Sequence, residues 1–270
     1  MVAGSGFPTP QKSLDMRQQA ETGLETDPNN PRLLSMLATV LASDVLNAWN
    51  DAGKPEVDRA EVAARKAISL NPHTAVAHFA LGYVHRLRGN HEAALGSFND
   101  AIRVDPHLAK AYAQAGNVMV FLGNARGAIP LVEKATRLSP QDPSIGPFFW
   151  IKGRAYFTLG DYPKAIEALE ESVRLRPNLW FNQAWLVAAY ALSDRDAEAR
   201  NALAEFEKAP FDRRFDLDRI AEYYRQEQQF QNPTLQAAAA KLLIGLTKAG
   251  MRSATSGTNS PRDELASAAV

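Results

Sequence analysis

Five prolines, each preceded by a polar residue, recur along the chain at Pro28, Pro72, Pro106, Pro140 and Pro177. The three in the middle are 34 residues apart, and the flanking intervals are 44 residues on the N-terminal side and 37 on the C-terminal side. A period of this length is typical of a stack of short supersecondary units that contact only their neighbours. The spacing therefore favours a repeat architecture over a single globular core.

Small and large residues recur in a fixed order inside each period. The segment that ends at Pro106 carries Leu81-Gly82, then Ala94, Phe98 and Ala101, and the next two segments repeat this order with similar residues. Small residues let two helices approach closely, large ones fill the groove between neighbours, and proline ends the second helix. The pattern resembles the tetratricopeptide repeat, a helix–turn–helix unit of 34 residues. The resemblance implies an all-α fold, a right-handed superhelical solenoid of such repeats.

The repeat register divides the chain into segments. It predicts a disordered N-terminus over residues 1–12, a half-repeat over 13–28, repeats over 31–72, 75–106, 109–140, 146–177 and 180–210, capping helices over 214–250, and a disordered tail over 251–270. Two insertions, 50–57 and 142–144, contain turn residues and are predicted to be surface loops. The half-repeat has a second helix without its first, so Leu14, Ala20 and Leu24 are expected to lack their cover and to favour self-association.

Charge and composition exclude several classes of partner. The 30 basic residues balance the 30 acidic ones, whereas nucleic-acid binders usually carry an excess of positive charge. The longest apolar run, residues 184–192, is shorter than the roughly 20 residues that span a bilayer. No secretory signal is recognisable at the N-terminus. We therefore expect a cytoplasmic protein, of bacterial type, without nucleic-acid binding or membrane insertion.

No group of residues in the sequence predicts catalysis, a cofactor or a metal. The chain has no cysteine, and it contains no phosphate-binding glycine motif. Its five histidines fall within 35 residues, but the repeat register explains most of them. Two follow turn prolines, two occupy aromatic positions of one helix, and none has helical zinc-ligand spacing: His73, His78, His85, His91 and His107. The chain is expected not to be an enzyme.

The first helices of such repeats line the concave surface of the stack, where extended peptides bind. Of twenty predicted inward positions, four are basic and none is acidic; those in the first two complete repeats include Arg32, Ser35, Thr39 and Val76. The candidate partner-binding residues are the larger or polar members of this set, Phe79, Tyr83, Arg86, Lys110, Asn117, Trp150, Arg154, Phe157 and Phe181. An alternative interpretation is that the aromatic residues simply pack between repeats.

The sequence leaves three functions open. The first is a non-catalytic interaction scaffold that binds a protein or peptide, with an acidic segment or a C-terminus as its ligand. The family's carboxylate clamp is matched only in part, by Lys110 and Asn117, since Tyr83 and Trp150 stand in the neighbouring repeats. A structural oligomerisation domain, built on the N-terminal half-repeat, is the weakest of the three.

The remaining function follows from a second resemblance. Residues 45–98 and the closing segment NPTLQAAAAKLLIGLTKAGM are similar to the C-terminal repeat region of proteobacterial, especially rhizobial, class III adenylate cyclases. This resemblance implies a regulatory or recruiting segment that belongs to such a cyclase or acts on one. It implies no cyclase activity, because the catalytic domain and its two metal-binding aspartates have no counterpart here. Whether the chain is a complete gene product or a fragment stays open.

Overall fold

A computed structural model describes residues 9–46, 53–141, 145–209, 211, 215–226 and 232–253. In this part of the chain every regular element is an α-helix, which confirms the all-α helical-repeat solenoid. The thirteen helices are α1 (Pro10–Thr26), α2 (Pro31–Leu46), α3 (Gly53–Leu70), α4 (Ala75–Leu87), α5 (His91–Val104), α6 (Ala109–Phe121), α7 (Ala125–Leu138), α8 (Gly146–Leu159), α9 (Tyr162–Leu175), α10 (Trp180–Leu192), α11 (Asp196–Lys208), α12 (Leu217–Gln226) and α13 (Pro233–Ala249).

Glycine brings the two helices of a repeat together. A Cβ atom at Gly82 of α4 would lie 2.5 Å from Cε1 of Phe98 on α5. A Cβ atom at Gly153 of α8 would lie 2.6 Å from Cγ of Leu169 on α9. Both distances are shorter than any non-bonded carbon–carbon contact, so the pairs α4–α5 and α8–α9 leave no room for a side chain at these two positions.

The turn between the two helices of a repeat contains one residue in the left-handed region. It is glycine in three repeats, with φ of 73° at Gly89, 81° at Gly123 and 80° at Gly160. In the last repeat the residue is Asp194, with φ of 59°. Only glycine adopts this conformation without a steric penalty, so the aspartate needs a separate explanation.

The chain forms two compact units. The N-terminal unit comprises Met1–Met119 with Glu133–Ser144, and the C-terminal unit comprises Val120–Val132 with Ile145–Val270. In the N-terminal unit, α2 packs against α1, α3 and α4, and α4 also packs against α3 and α5. In the C-terminal unit, α8 pairs with α9, and α10 contacts α9, α11 and α13.

Helix α1 is better covered than the sequence suggests. Ala20 is fully buried, and Leu24 packs against the core formed with α2, α3 and α4. Ion pairs from Arg17 to Glu56 (3.2 Å) and from Arg59 to Glu21 (2.8 Å) join α1 to α3. The second helix of the half-repeat therefore packs on the following repeat, as a second helix does elsewhere in such a stack.

Two helices begin earlier than the sequence indicates. α1 begins at Pro10, where Thr9 caps it by accepting a hydrogen bond from the Lys12 amide at 3.2 Å. Residues 10–12 are therefore helical rather than disordered. α3 begins at Gly53, so residues 53–57 of the predicted loop form its first turn. Pro55 is compatible with this turn because its missing N–H would have no intrahelical partner there.

The first residues of the predicted disordered tail are packed instead: Met251 is buried, and the Ser253 hydroxyl donates to the Asp218 carboxylate at 2.9 Å. The predicted loop 142–144, the first part of the predicted loop 50–57, residues 1–8 and residues 254–270 lie outside the described residues.

Candidate functional site

The N-terminal unit has an open cleft on the side of its first helices. Its volume is about 510 Å³. It is lined by the N-terminal half of α2, by the turn that leads into α4, and by one residue of α1: Pro31, Arg32, Ser35, Met36, Thr39, Asn71, His73, Thr74, Ala75, Val76 and Met16. Four predicted inward positions, Arg32, Ser35, Thr39 and Val76, thus come together in one cavity.

The cleft combines exposed apolar side chains with polar groups that are held in place. Met16 is 43% exposed and Val76 is 42% exposed, so the apolar surface is only partly covered by the chain itself. The Ser35 hydroxyl donates to the Pro31 carbonyl at 2.6 Å, and the Thr39 hydroxyl donates to the Ser35 carbonyl at 2.8 Å. Each hydroxyl donates its one proton to the helix and can act toward a ligand only as an acceptor. Arg32 is exposed and contributes a positive charge.

The first helices differ from the second helices in charge. Asp44 is the one acidic residue in α2, α4, α6, α8 and α10, and it is buried, where its carboxylate accepts a hydrogen bond from Ser13. Burial raises the pKa of Asp44. Each second helix, by contrast, carries between one and four acidic residues. The inner side of the repeats therefore has positive charge without exposed negative charge.

A polar network lies further along the inner side of the N-terminal unit. The Arg86 guanidinium donates to Oε1 of Gln114 at 2.6 Å, and the Asn117 amide donates to the same oxygen at 3.3 Å. Arg86 also lies 5.8 Å from the centre of the Tyr83 ring, within the range of a cation–π contact. Sequence reasoning missed Gln114, although it shares a helix face with Lys110 and Asn117.

The aromatic candidates of this unit are mainly part of its core. Phe79 is 5% exposed, and its ring centre lies 4.6 Å from Tyr83 and 5.6 Å from Phe98. Burial raises the pKa of the Tyr83 hydroxyl. Lys110 is exposed. Of the five candidates in this unit, Lys110 and the half-buried Tyr83 and Arg86 reach the surface, whereas Phe79 and Asn117 are buried.

The candidates of the C-terminal unit have a different environment. Arg154 is 1% exposed, and its guanidinium lies 4.5 Å from the Trp150 ring centre and 4.6 Å from that of Phe121. Phe157 is fully buried, 4.7 Å from the Trp185 ring. The expectation that Arg154 and Phe157 project into an open groove is therefore wrong for this conformation, because neighbouring side chains cover both.

The remaining two candidates of this unit belong to an extended aromatic cluster. Phe181 lies 4.9 Å from Trp150, and Trp180 on α10 stacks on Phe215 at 4.5 Å. Tyr224 on α12 accepts a hydrogen bond from the Trp185 indole at 2.7 Å, and burial raises the pKa of Tyr224 to about 12. The alternative interpretation, in which aromatic residues pack between helices, thus describes most of this cluster.

No group of three or more metal-ligating side chains occurs in the part of the chain that the structure describes. Two of the histidines have contacts of another kind. Nε2 of His78 lies 3.0 Å from the Pro72 carbonyl oxygen, and His73 lines the cleft. None of the described helices is long and apolar enough to cross a membrane.

The family model for the tetratricopeptide repeat matches residues 51–109, 114–179 and 152–214. The chain is a tetratricopeptide-repeat protein. Repeats of this family typically act as non-catalytic scaffolds in protein–protein interaction, and the first helices supply the binding surface.

Solved tetratricopeptide-repeat structures share this fold. PilF of Pseudomonas aeruginosa is 16% identical, with a TM-score of 0.59, and the match covers 81% of this chain and 96% of PilF. PilW, a type IV pilus biogenesis factor, is 17% identical, with a TM-score of 0.59 and coverage of 80% and 88%. MamA is 22% identical, with a TM-score of 0.50 and coverage of 59% and 94%. At these identities the similarity shows the fold alone.

The comparison with curated proteins gives no match. The family model and the solved structures lend no support to the resemblance to class III adenylate cyclases, which stays a prediction from the sequence.

Proposed function

We propose that this tetratricopeptide-repeat protein is an interaction scaffold that binds an extended, acidic protein segment in the cleft of its N-terminal unit. The observation that carries the proposal is the 510 Å³ cleft lined by exposed apolar residues and by the exposed Arg32. An acidic group of the ligand would pair with Arg32, and an apolar side chain beside it would cover Met16 and Val76. Charged arginine and adaptable methionine side chains are both common at peptide-binding surfaces.

The charge of the first helices supports an acidic ligand. Lys110 and Arg86 extend the positive charge beyond the cleft along the N-terminal unit, and no exposed acidic side chain occurs on α2, α4 or α6 to repel a carboxylate. A free C-terminal carboxylate has the same chemistry as an acidic side chain and is an equivalent ligand under this proposal. Electrostatic complementarity of this kind mainly accelerates association and selects the partner.

Selection of binders from a random peptide library tests the proposal. Immobilised full-length protein should enrich peptides that combine acidic residues with large apolar ones. Affinity for an enriched peptide should fall about tenfold or more in Arg32→Glu and in Val76→Asp. Both side chains are exposed, so neither change removes a core residue.

A matched control is Arg103→Glu, which reverses the charge of an exposed arginine on the second helix α5. Its side chain is 72% exposed and pairs with a neighbour of the same helix, Asp100. Affinity should stay unchanged in this variant. Enrichment of peptides without acidic residues, or equal losses in Arg103→Glu and Arg32→Glu, would contradict the proposal.

A second candidate function is self-association through α1. Leu14 is 46% exposed and Met16 is 43% exposed on this helix, so apolar surface remains although Ala20 is covered. Sedimentation velocity over a concentration series should then show dimers that Leu14→Asp abolishes. A concentration-independent monomer in the unchanged protein would rule this candidate out.

A further inference from the structure

Helix α13 lies across the first helices of the C-terminal unit instead of continuing the repeat pattern. It contacts α10 most extensively and also contacts α8, α11 and α12. Its N-terminal end is fixed at the end of α6, where the Asn232 side chain donates to the Phe121 carbonyl. Its C-terminal end is fixed at the end of α10, where Lys248 donates to the Ala191 carbonyl at 2.7 Å. The helix thus runs from the end of one first helix to the end of another.

The dimensions agree with this path. A helix of 17 residues is about 25 Å long. Neighbouring packed helices lie about 8–10 Å apart, so three first helices side by side extend over about 20 Å. α13 therefore has the length needed to reach from Phe121, at the end of α6, to Ala191, near the end of α10.

The contact between α13 and α10 is close and apolar. A Cβ atom at Gly245 would lie 2.7 Å from the Cα, the Cβ and the carbonyl oxygen of Ala188. Leu242 and Leu246, on either side of this crossing point, are fully buried. On the opposite face of α13, Ile244 is 59% exposed. α13 is thus an amphipathic helix with a small residue at the point where it crosses α10.

One residue of the last repeat is explained by this helix. Asp194 occupies the left-handed turn position that is glycine in the three preceding repeats, although an L side chain is disfavoured there. Its carboxylate lies 2.5 Å from Nζ of Lys248, and Asp196 follows at 3.7 Å. Among the described repeats, the turn departs from glycine in the one that forms an ion pair with the C-terminal end of α13.

We propose that the first-helix face of the C-terminal unit is a helix-binding surface, which α13 occupies as an intramolecular ligand and thereby closes to partner helices. The ligand class is an amphipathic helix with leucines on one face and a small residue at its crossing point. This surface is distinct from the cleft of the N-terminal unit, so the failure of either proposal leaves the other unaffected.

A synthetic peptide of residues 232–251 tests whether α13 binds as a ligand. The full-length variant Leu242→Asp places a charge on the buried face of α13 and leaves the surface of α8 and α10 unchanged. Its own helix should undock, and the variant should bind the labelled peptide at least about tenfold more tightly than the unchanged protein does. Fluorescence anisotropy measures the affinity, and hydrogen exchange reports undocking as faster exchange over residues 233–249.

Two controls define the specificity of the result. Ile244→Asp places the same charge on the exposed face of the same helix and should bind the peptide no better than the unchanged protein. A peptide that carries Leu242→Asp should not bind any of the three chains. A second variant, Asn232→Ala with Lys248→Ala, loosens both ends of α13 without touching its apolar face, and it should show intermediate peptide binding.

Two results would overturn the proposal. One is loss of exchange protection over α8–α11 in both the Leu242→Asp and the double variant, since α13 would then be an inseparable part of the unit's core. The other is the absence of peptide binding by both variants while α8–α11 stay protected, since the exposed face would then have no affinity for this helix.

Discussion

The inner sides of the two units use the same repeat positions in opposite ways. In the N-terminal unit, first-helix residues such as Arg32 and Val76 line an open cleft of about 510 Å³. In the C-terminal unit, the corresponding side is covered by α12 and α13, and Ala184, Ala188 and Ala191 of α10 are fully buried. A register position thus determines the direction of a side chain, whereas the elements that follow the repeats decide whether it meets solvent.

Two of the arginines at inward positions, Arg86 and Arg154, illustrate the difference. Arg86 is half-buried and bonds to a neighbouring glutamine side chain at 2.6 Å. Arg154 is 1% exposed between two aromatic rings. One can still be approached by a ligand, and the other contributes to the stability of its unit.

Substitution of these arginines should therefore give the largest difference between the units. We expect Arg154→Ala to destabilise the protein by about 2–4 kcal/mol, because it leaves a cavity and removes two desolvated cation–π contacts. Arg86→Ala should cost about 1 kcal/mol or less, since solvent can fill the space and hydrate the released glutamine. Urea denaturation measures both values. Equal losses would mean that the two inward positions are equally buried in solution.

The glycine contacts within repeats should, by contrast, behave alike in both units. Gly82→Ala and Gly153→Ala each bring a Cβ atom to within 2.6 Å of the opposing helix's side chain and should each cost about 1–3 kcal/mol. Gly96→Ala is the matched control, because a Cβ atom there meets nothing within 4 Å. The control should stabilise the protein by about 0.5–1 kcal/mol through helix propensity. A cost confined to one unit, seen in thermal melts, would show that the repeats do not pack alike.

Substitution of the buried Asn182 in the C-terminal unit should have a smaller effect and should stabilise the protein. Its side chain is fully buried, and its amide has no hydrogen-bond partner among the described residues. The same register position is alanine in two earlier repeats, at Ala77 and Ala111. We expect Asn182→Ala to stabilise the protein by about 1–2 kcal/mol, because it removes a buried amide that lost its hydration. Destabilisation in a chemical melt would indicate that the amide is paired in solution.

The sequence predicted the helices whose packing depends on residues of a single repeat. The repeat period and the small residues at Gly82 and Gly153 anticipated the helix pairs, because these contacts form within a single repeat. The early start of α3 at Gly53 was missed because glycine and proline indicate turns, although both are tolerated in a first helical turn. Local signals of this kind decide an element's existence better than its first residue.

The candidate site was predictable where the neighbouring side chains leave an inward position open. Arg32 and Val76 line the cleft, as inward positions should. Arg154 and Phe157 satisfy the same register, but Trp150, Phe121 and Trp185 cover them. The repeat period gives the direction of a side chain but not the rings that pack around it, so the sequence could not separate a binding surface from a core at these positions.

The smallest effect concerns the ion pair at the end of α13. The Lys248 ammonium donates a hydrogen bond to the Asp194 carboxylate and thereby lowers the pKa of Asp194 below its ordinary value of 3.8. Because the pKa of Asp194 is lower in the folded chain, the ion pair stabilises the docked helix at pH values above the ordinary pKa. This stabilisation is lost as the pH falls through the lowered pKa. Exchange protection of α13 should therefore decrease as the pH falls below about 5 and through that lowered value. In Asp194→Gly this decrease in protection should be shallower, because only Asp196 remains as a partner of Lys248. Protection at neutral pH should change little, because glycine relieves the left-handed turn and an exposed ion pair contributes little to stability. The acid response of α1–α3, whose ion pairs involve other residues, should be the same in both chains. An unchanged slope over α13 would show that this pair does not help to hold the helix that closes the C-terminal unit.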